Sequence, residues 1–262
     1  KTEIVNNNYL ETPIEGDIEF KDVTLTYKDT GIKALKNINL NISEGTRLGI
    51  FGRTGSGKST IANMICRLYD PDKGYISIGG KRLKNLNLNN LRESVGYVPQ
   101  DDYLFSGTIR DNIAFSVDYY DEEKIQQAAE KASIAEEIKL FPKGLDTLIG
   151  ERGIQLSGGQ RQRLAIARTL HKNPQIYIFD DCMSAVDANK EKSILMQLKK
   201  ETKSRTTILI SHRISSILDM DHIIVLDNGE IIESGTHEKL LASRGFYFEV
   251  YKQQQKTNQS SN

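Results

Sequence analysis

The chain has 262 residues, 38% of them apolar, enough to bury a sizeable core as one large domain or a domain with an inserted lobe, which excludes disorder as the default reading. Lysine plus arginine equal aspartate plus glutamate at 35 each, so no global field draws the chain onto nucleic acid or an anionic membrane, and any phosphate must be gripped locally. The two cysteines, Cys66 and Cys182, lie in strongly patterned segments and form no paired framework, which points to packing roles in a reducing compartment.

The opening stretch, Lys1 to Gly16, is polar, lacks the pattern of a signal peptide and reads as a linker from something upstream. From Asp17 to Ile42, alternating stretches such as Ile18-Glu19-Phe20 and Val23 to Tyr27 predict short antiparallel strands in a small β-layer. Leu48 to Phe51 is a short buried strand. Behind it, Ile61, Met64, Ile65 and Leu68 recur with helical spacing and predict an amphipathic helix.

Between that strand and helix, Gly52-Arg53-Thr54-Gly55-Ser56-Gly57-Lys58-Ser59 fits G-x-x-x-x-G-K-[ST]. Glycines there let backbone N–H groups wrap phosphates at a helix N-terminus, so the loop from Gly52 to Thr60 is expected to bind ATP with magnesium. Lys58 would reach the β- and γ-phosphates and Ser59 the magnesium; Thr54, Gly55, Ser56, Gly57 and Thr60 complete the cradle. The bland alternative is a glycine turn joining strand to helix.

Residues from about 101 to 173 carry mainly helical periodicity, clearest at Gln126 to Ala132 and Leu164 to Leu170, and read as an inserted helical lobe. Ile176 to Phe179, Thr207 to Ile210 and Ile223 to Leu226 are short β-branched runs of a mostly parallel sheet, and Asn228-Gly229 marks a hairpin. Asp180 and Asp181 end the first of these runs, where a phosphate-loop fold needs a magnesium-side carboxylate and a base for the attacking water. Asp181 could equally cap the following turn. The polar, glutamine-rich end, residues 251–262, reads as a disordered tail. The fold class is therefore α/β, a phosphate-loop NTPase core with a small antiparallel β-subdomain and an inserted helical subdomain.

Leu156-Ser157-Gly158-Gly159-Gln160, followed by Arg161-Gln162-Arg163, resembles the signature of the ATP-binding cassette family, and the other family motifs fall in order around it, over roughly residues 17–250. Ser157 with Gln160 also satisfies the S-x-x-Q capping box, so a plain helix start is a reading that coexists with the functional one. The resemblance implies two nucleotide-binding domains packed head to tail, each ATP held between one phosphate loop and the partner's Ser157, Gly158, Gly159 and Gln160. It assigns Tyr27 to adenine stacking, Gln100 to magnesium or water and to sensing the transmembrane part, Asp187 to the dimer interface and His212 to the γ-phosphate. The segment Phe105 to Asn112, with Glu151 and Arg152, resembles exporters in which such segments meet the intracellular loops of membrane helices, which implies a site at the cytoplasmic face of a membrane. The family usually carries Glu where this chain has Asp181, shorter by one carbon, roughly 1.5 Å. That implies slow local turnover and the degenerate half of a heterodimer. The competing expectations are a soluble cassette ATPase acting on ribosomes or DNA, a regulatory ATP-binding subunit with little hydrolysis, and a small-molecule kinase, which would have no use for Asp187 or the signature.

Overall fold

The computed structural model describes residues 4–6, 8–101, 103–115, 121–150 and 153–260. In chain order the elements are β1 (Ile18–Thr26), β2 (Lys33–Ile42), β3 (Arg47–Gly52), α1 (Lys58–Ile65), β4 (Lys73–Ile78), β5 (Lys81–Arg82), α2 (Leu88–Ser94), β6 (Val95–Val98), β7 (Gly107–Thr108), α3 (Ile109–Ile113), α4 (Glu122–Lys131), α5 (Ala135–Leu140), β8 (Leu148–Ile149), α6 (Gly158–Lys172), β9 (Ile176–Asp180), α7 (Ala188–Glu201), β10 (Thr206–Ile210), α8 (Ile214–Ile217), β11 (His222–Asp227), β12 (Glu230–Gly235), α9 (His237–Ser243) and α10 (Phe246–Ser260). They fall into two compact units, residues 1–95 with 204–262, and residues 96–203.

In the first unit, β3 is flanked by β10 and β11, both parallel to it, and β12 closes antiparallel on β11. The parallel strands are apolar along their length, as a sheet covered on both faces requires; Leu48, Ile50, Ile208, Ile210, Ile224 and Leu226 are all at most 2% exposed. Asn228 and Gly229 both take positive φ, 47° and 82°, as the expected two-residue hairpin demands. The β-layer is also as expected, a second sheet in the order β2-β1-β4-β5, antiparallel throughout. The runs read separately at Ile18 and Val23 are one strand, and its pairing to β2 shifts register between Phe20 and Val23, beside Asp22 at φ 50°.

In the second unit β6 neighbours β9, β7 pairs with β8, and α3 to α7 supply the helices. This unit, 96–203, is wider than the segment 101–173 expected from helical periodicity, because it also takes in β6, β9 and α7. Cys66 and Cys182 are both buried, and neither forms a disulfide.

Two expectations are corrected by packing. Helix α1 stops at Ile65, Arg67 turns left-handed at φ 48°, and Leu68 is 43% exposed rather than on the buried face. Residues 251–260, part of the stretch read as a disordered tail, continue α10, where lysine and glutamine are good helix formers and Gln254 is tied to a neighbouring loop. The stretch read as a linker is held in place over its described part: Ile14 is 4% exposed, Asn6 accepts from the Leu88 amide at 3.0 Å, and Asn8 donates to the Asn85 carbonyl at 2.9 Å.

Candidate nucleotide-binding site

The loop between β3 and α1 is shaped by glycine. A Cβ at Gly52 would lie 2.2 Å from the Leu226 carbonyl oxygen and 2.7 Å from Ser56 Oγ, and one at Gly57, at φ 105°, would lie 2.6 Å from the Ala34 carbonyl oxygen. Gly52 and Gly57 therefore let the loop sink against β11 and β2, whereas a Cβ at Gly55 would meet nothing within 4 Å, facing open space. Gly57 begins α1 without a side-chain cap, and the first turn carries no acid, so the positive end of the helix is left for an anion. Lys58 Nζ curls over the loop and donates to the carbonyls of Gly52 at 2.9 Å and Arg53 at 2.8 Å. Ser56 is 3% exposed with its Oγ buried and unpartnered, an orphaned polar atom in the cradle.

Tyr27 follows β1, half-buried, and its hydroxyl lies 3.0 Å from Thr60 Oγ1, with its ring edge-on to Tyr69 at 5.1 Å. That bond fastens the aromatic to the loop-bearing helix. His212 is exposed in the turn after β10. The Gln254 carboxamide of α10 holds this turn from both sides, donating to the His212 carbonyl at 2.8 Å and accepting from the Ile214 amide at 2.9 Å.

In the second unit, Asp180 ends β9 at 2% exposure and accepts from the Tyr97 hydroxyl at 3.1 Å. Asp181 takes φ 46°, a left-handed conformation that aspartate enters more readily than glutamate. This is a backbone reason for aspartate that the sequence does not reveal. Gln100 is exposed two residues beyond β6. Asp187 caps α7, accepting from the Lys190 amide at 3.0 Å.

Ser157 caps α6 as expected: its Oγ accepts from the Gln160 amide at 3.2 Å and Gln160 Oε1 accepts from the Ser157 amide at 2.9 Å, a complete capping box. Glu151 and Arg152 lie outside the described residues. Tyr97, Gln254 and Glu137 were not found by sequence reasoning; each acts by a contact that no local spacing announces.

A strand, glycine loop and uncapped helix bearing Lys58 is a nucleotide-phosphate cradle, and the self-capped α6 with two glycines is the second feature to be explained. A family model described as "ABC transporter" matches residues 35–184, just over half of the chain and both features together. The chain belongs to the ABC transporter family. Its fold is the ATP-binding domain of that family, an α/β phosphate-loop NTPase. Among similar proteins, an ATP-dependent lipid A-core flippase of Photobacterium profundum is 45% identical over 94% of this chain and 42% of its own length. A probable multidrug resistance ABC transporter ATP-binding/permease protein of Bacillus subtilis is 42% identical over 92% of this chain and 41% of its own. The solved structure of a bacterial Atm1-family ABC exporter with ATP bound superposes with a TM-score of 0.87 at 42% identity, covering 91% of this chain and 42% of that one. The chain thus spans well under half the length of the relatives it matches. No helix among the described residues is long and apolar enough to cross a membrane.

Proposed function

We propose that this chain is the ATP-hydrolysing domain of an ABC exporter at the cytoplasmic face of a membrane, closing head to tail with a second nucleotide-binding domain and opening after hydrolysis to drive attached membrane helices. The observation that carries this reading is the contrast between two helix N-termini: α1 uncapped with Lys58 at its first position, and α6 self-capped and acid-free behind Gly158 and Gly159. The first suits phosphates bound within the chain, the second a γ-phosphate presented by a partner.

In this reading the N–H groups of residues 54–60 wrap the phosphates, Lys58 neutralises the β- and γ-oxygens, and Tyr27 stacks on adenine. Asp181 orients and polarises the water that attacks the γ-phosphorus, His212 contacts the γ-phosphate, and ADP and inorganic phosphate leave. Ser59, Gln100 and Asp180 offer hydroxyl, carboxamide and carboxylate oxygens, the donor class that suits magnesium, which when bound would neutralise phosphate charge. The exposed aromatics Tyr103 and Phe115, with Phe105 stacked on Phe115 at 3.9 Å and Arg168 over both phenylalanine rings, offer a surface for the intracellular loops of membrane helices, the role that the resemblance also gives to the Gln100 segment and to Glu151 and Arg152. The shorter base Asp181 favours the degenerate half of a heterodimer, which lends an intact signature to its partner. An ATP-binding regulatory subunit is the second reading, favoured by the left-handed turn at Asp181.

Replacing Ser157 with arginine in the assembled transporter separates them. Loss of at least about tenfold in ATP turnover, with ATP still bound at this chain's own loop, is expected if the signature completes an active site; unchanged turnover would reduce the chain to a regulatory role.

A further inference from the structure

The segment leading into α7 and the start of α6 are locked to each other by contacts that the proposed reaction does not use. A Cβ at Gly159 would lie 2.8 Å from the Ala185 carbonyl oxygen, and one at Gly158 would lie 3.2 Å from Ala185 Cβ, so the two signature glycines admit this segment at close range. Gln162, 4% exposed on α6, accepts from the Ala185 amide at 2.9 Å and donates to Ser184 Oγ at 3.2 Å.

At the centre of this contact sits Glu137, on α5. Its two carboxylate oxygens take a bidentate pair from Arg163, at 2.7 and 2.9 Å, a bond from Gln160 Nε2 at 3.0 Å and one from Lys190 Nζ at 2.6 Å. Gln160 and Arg163 belong to the first turns of α6, and Lys190 to the first turn of α7, just beyond its cap Asp187. Arg163 is 5% exposed and also donates to the carbonyls of Gly159 at 3.1 Å and Ser133 at 2.6 Å, so the charge that Glu137 neutralises is buried inside the contact. Planar bidentate pairing of arginine with carboxylate fixes orientation as well as distance, and removing one partner leaves the other charge buried and unpaired.

We propose that Glu137 is a positioning residue: its carboxylate joins the signature turn of α6 to the start of α7, so that Ser157 to Gly159 and Asp187 meet a partner's nucleotide as one rigid surface. The proposal rests on the head-to-tail reading above. None of its four bonds reaches the phosphate loop, which belongs to the other compact unit. Glu137 therefore acts on what this chain offers its partner and leaves its own ATP binding alone.

Glu137→Gln keeps the size and removes the charge. In the assembled transporter it is expected to lower kcat by about tenfold, while the affinity of this chain for a fluorescent ATP analogue stays within twofold and Glu137→Asp recovers part of the loss. In the same variant, amide hydrogen exchange at Ala185 and Lys190 is expected to accelerate by about tenfold, a readout that needs neither partner nor turnover. Lys190→Met, which cuts only the α7 tie, should give a smaller fall in kcat and faster exchange at the amide of position 190, with that of Ala185 unchanged. Unchanged exchange at Ala185 and Lys190 in Glu137→Gln would overturn the proposal, as would an ATP affinity that falls in step with kcat. Faster exchange with an unaltered kcat, in a wild type that turns ATP over, would break the link to the partner site. A wild type that does not turn ATP over would instead defeat the transport reading.

Discussion

Lys58→Ala is expected to lower ATP hydrolysis by about a thousandfold and to weaken ATP binding as well. The Lys58 ammonium already spans the Gly52 and Arg53 carbonyls at 2.9 and 2.8 Å, over a loop whose other phosphate donors are backbone amides. Deleting one preorganised donor aimed at developing charge costs roughly 10²–10³ in rate, and a full cation in a partly enclosed site falls at the upper end of that range. The fold should survive, because α1 is anchored by Ile61, Ala62, Met64 and Ile65, all fully buried, and Lys58 lies on its wetter side. Stopped hydrolysis with an unchanged far-ultraviolet circular dichroism spectrum is the expected pair of results, and hydrolysis at the wild-type rate would remove Lys58 from the site.

Asp181→Glu is expected to act in the opposite direction, raising turnover at this chain's own nucleotide by about tenfold with little change in ATP affinity. A general base contributes roughly 10²–10⁴ when it is within hydrogen-bond reach of its proton, and in the proposed reading one added methylene extends the carboxylate toward that reach. The gain stays at the low end because residue 181 is left-handed at φ 46°, where glutamate is held less comfortably than aspartate. Asp181→Asn should fall below wild type. Single-turnover hydrolysis with the partner's own site inactivated isolates the effect; no gain in Asp181→Glu, together with no loss in Asp181→Asn, would show that the residue serves only the turn.

What the sequence reveals about this site is what lies close along the chain. Eight consecutive residues specify the phosphate loop, four specify the α6 cap, and Asn228-Gly229 specifies the hairpin, because in each case the interacting groups are within a few residues of each other. Glu137 is invisible to that logic. Its partners Gln160, Arg163 and Lys190 stand 23, 26 and 53 positions away, and only the folded second unit brings three donors to one carboxylate, holding its pKa down to about 2, chiefly through Arg163. Gln254 is 42 positions from the His212 carbonyl it binds, and its polar surroundings resemble those of a disordered end until α10 is in place. Leu68 fails for a related reason: the helical spacing continues past Ile65, but the chain turns at Arg67, where Asp70 accepts from the guanidinium at 3.0 Å. Periodicity marks which residues could share a face, whereas the end of a helix is settled by the turn that follows it.

In the proposed function, the loop after β3 encloses the polyphosphate of ATP with main-chain amides. Titrating isotopically labelled protein with ATP and magnesium, and following the backbone amide resonances of Gly55, Gly57, Lys58 and Ser59, tests it most directly. Large, saturable shifts concentrated at these residues and reversed by Lys58→Ala are predicted. Shifts that saturate elsewhere while these four amides stay where they were would show that ATP binds outside this loop.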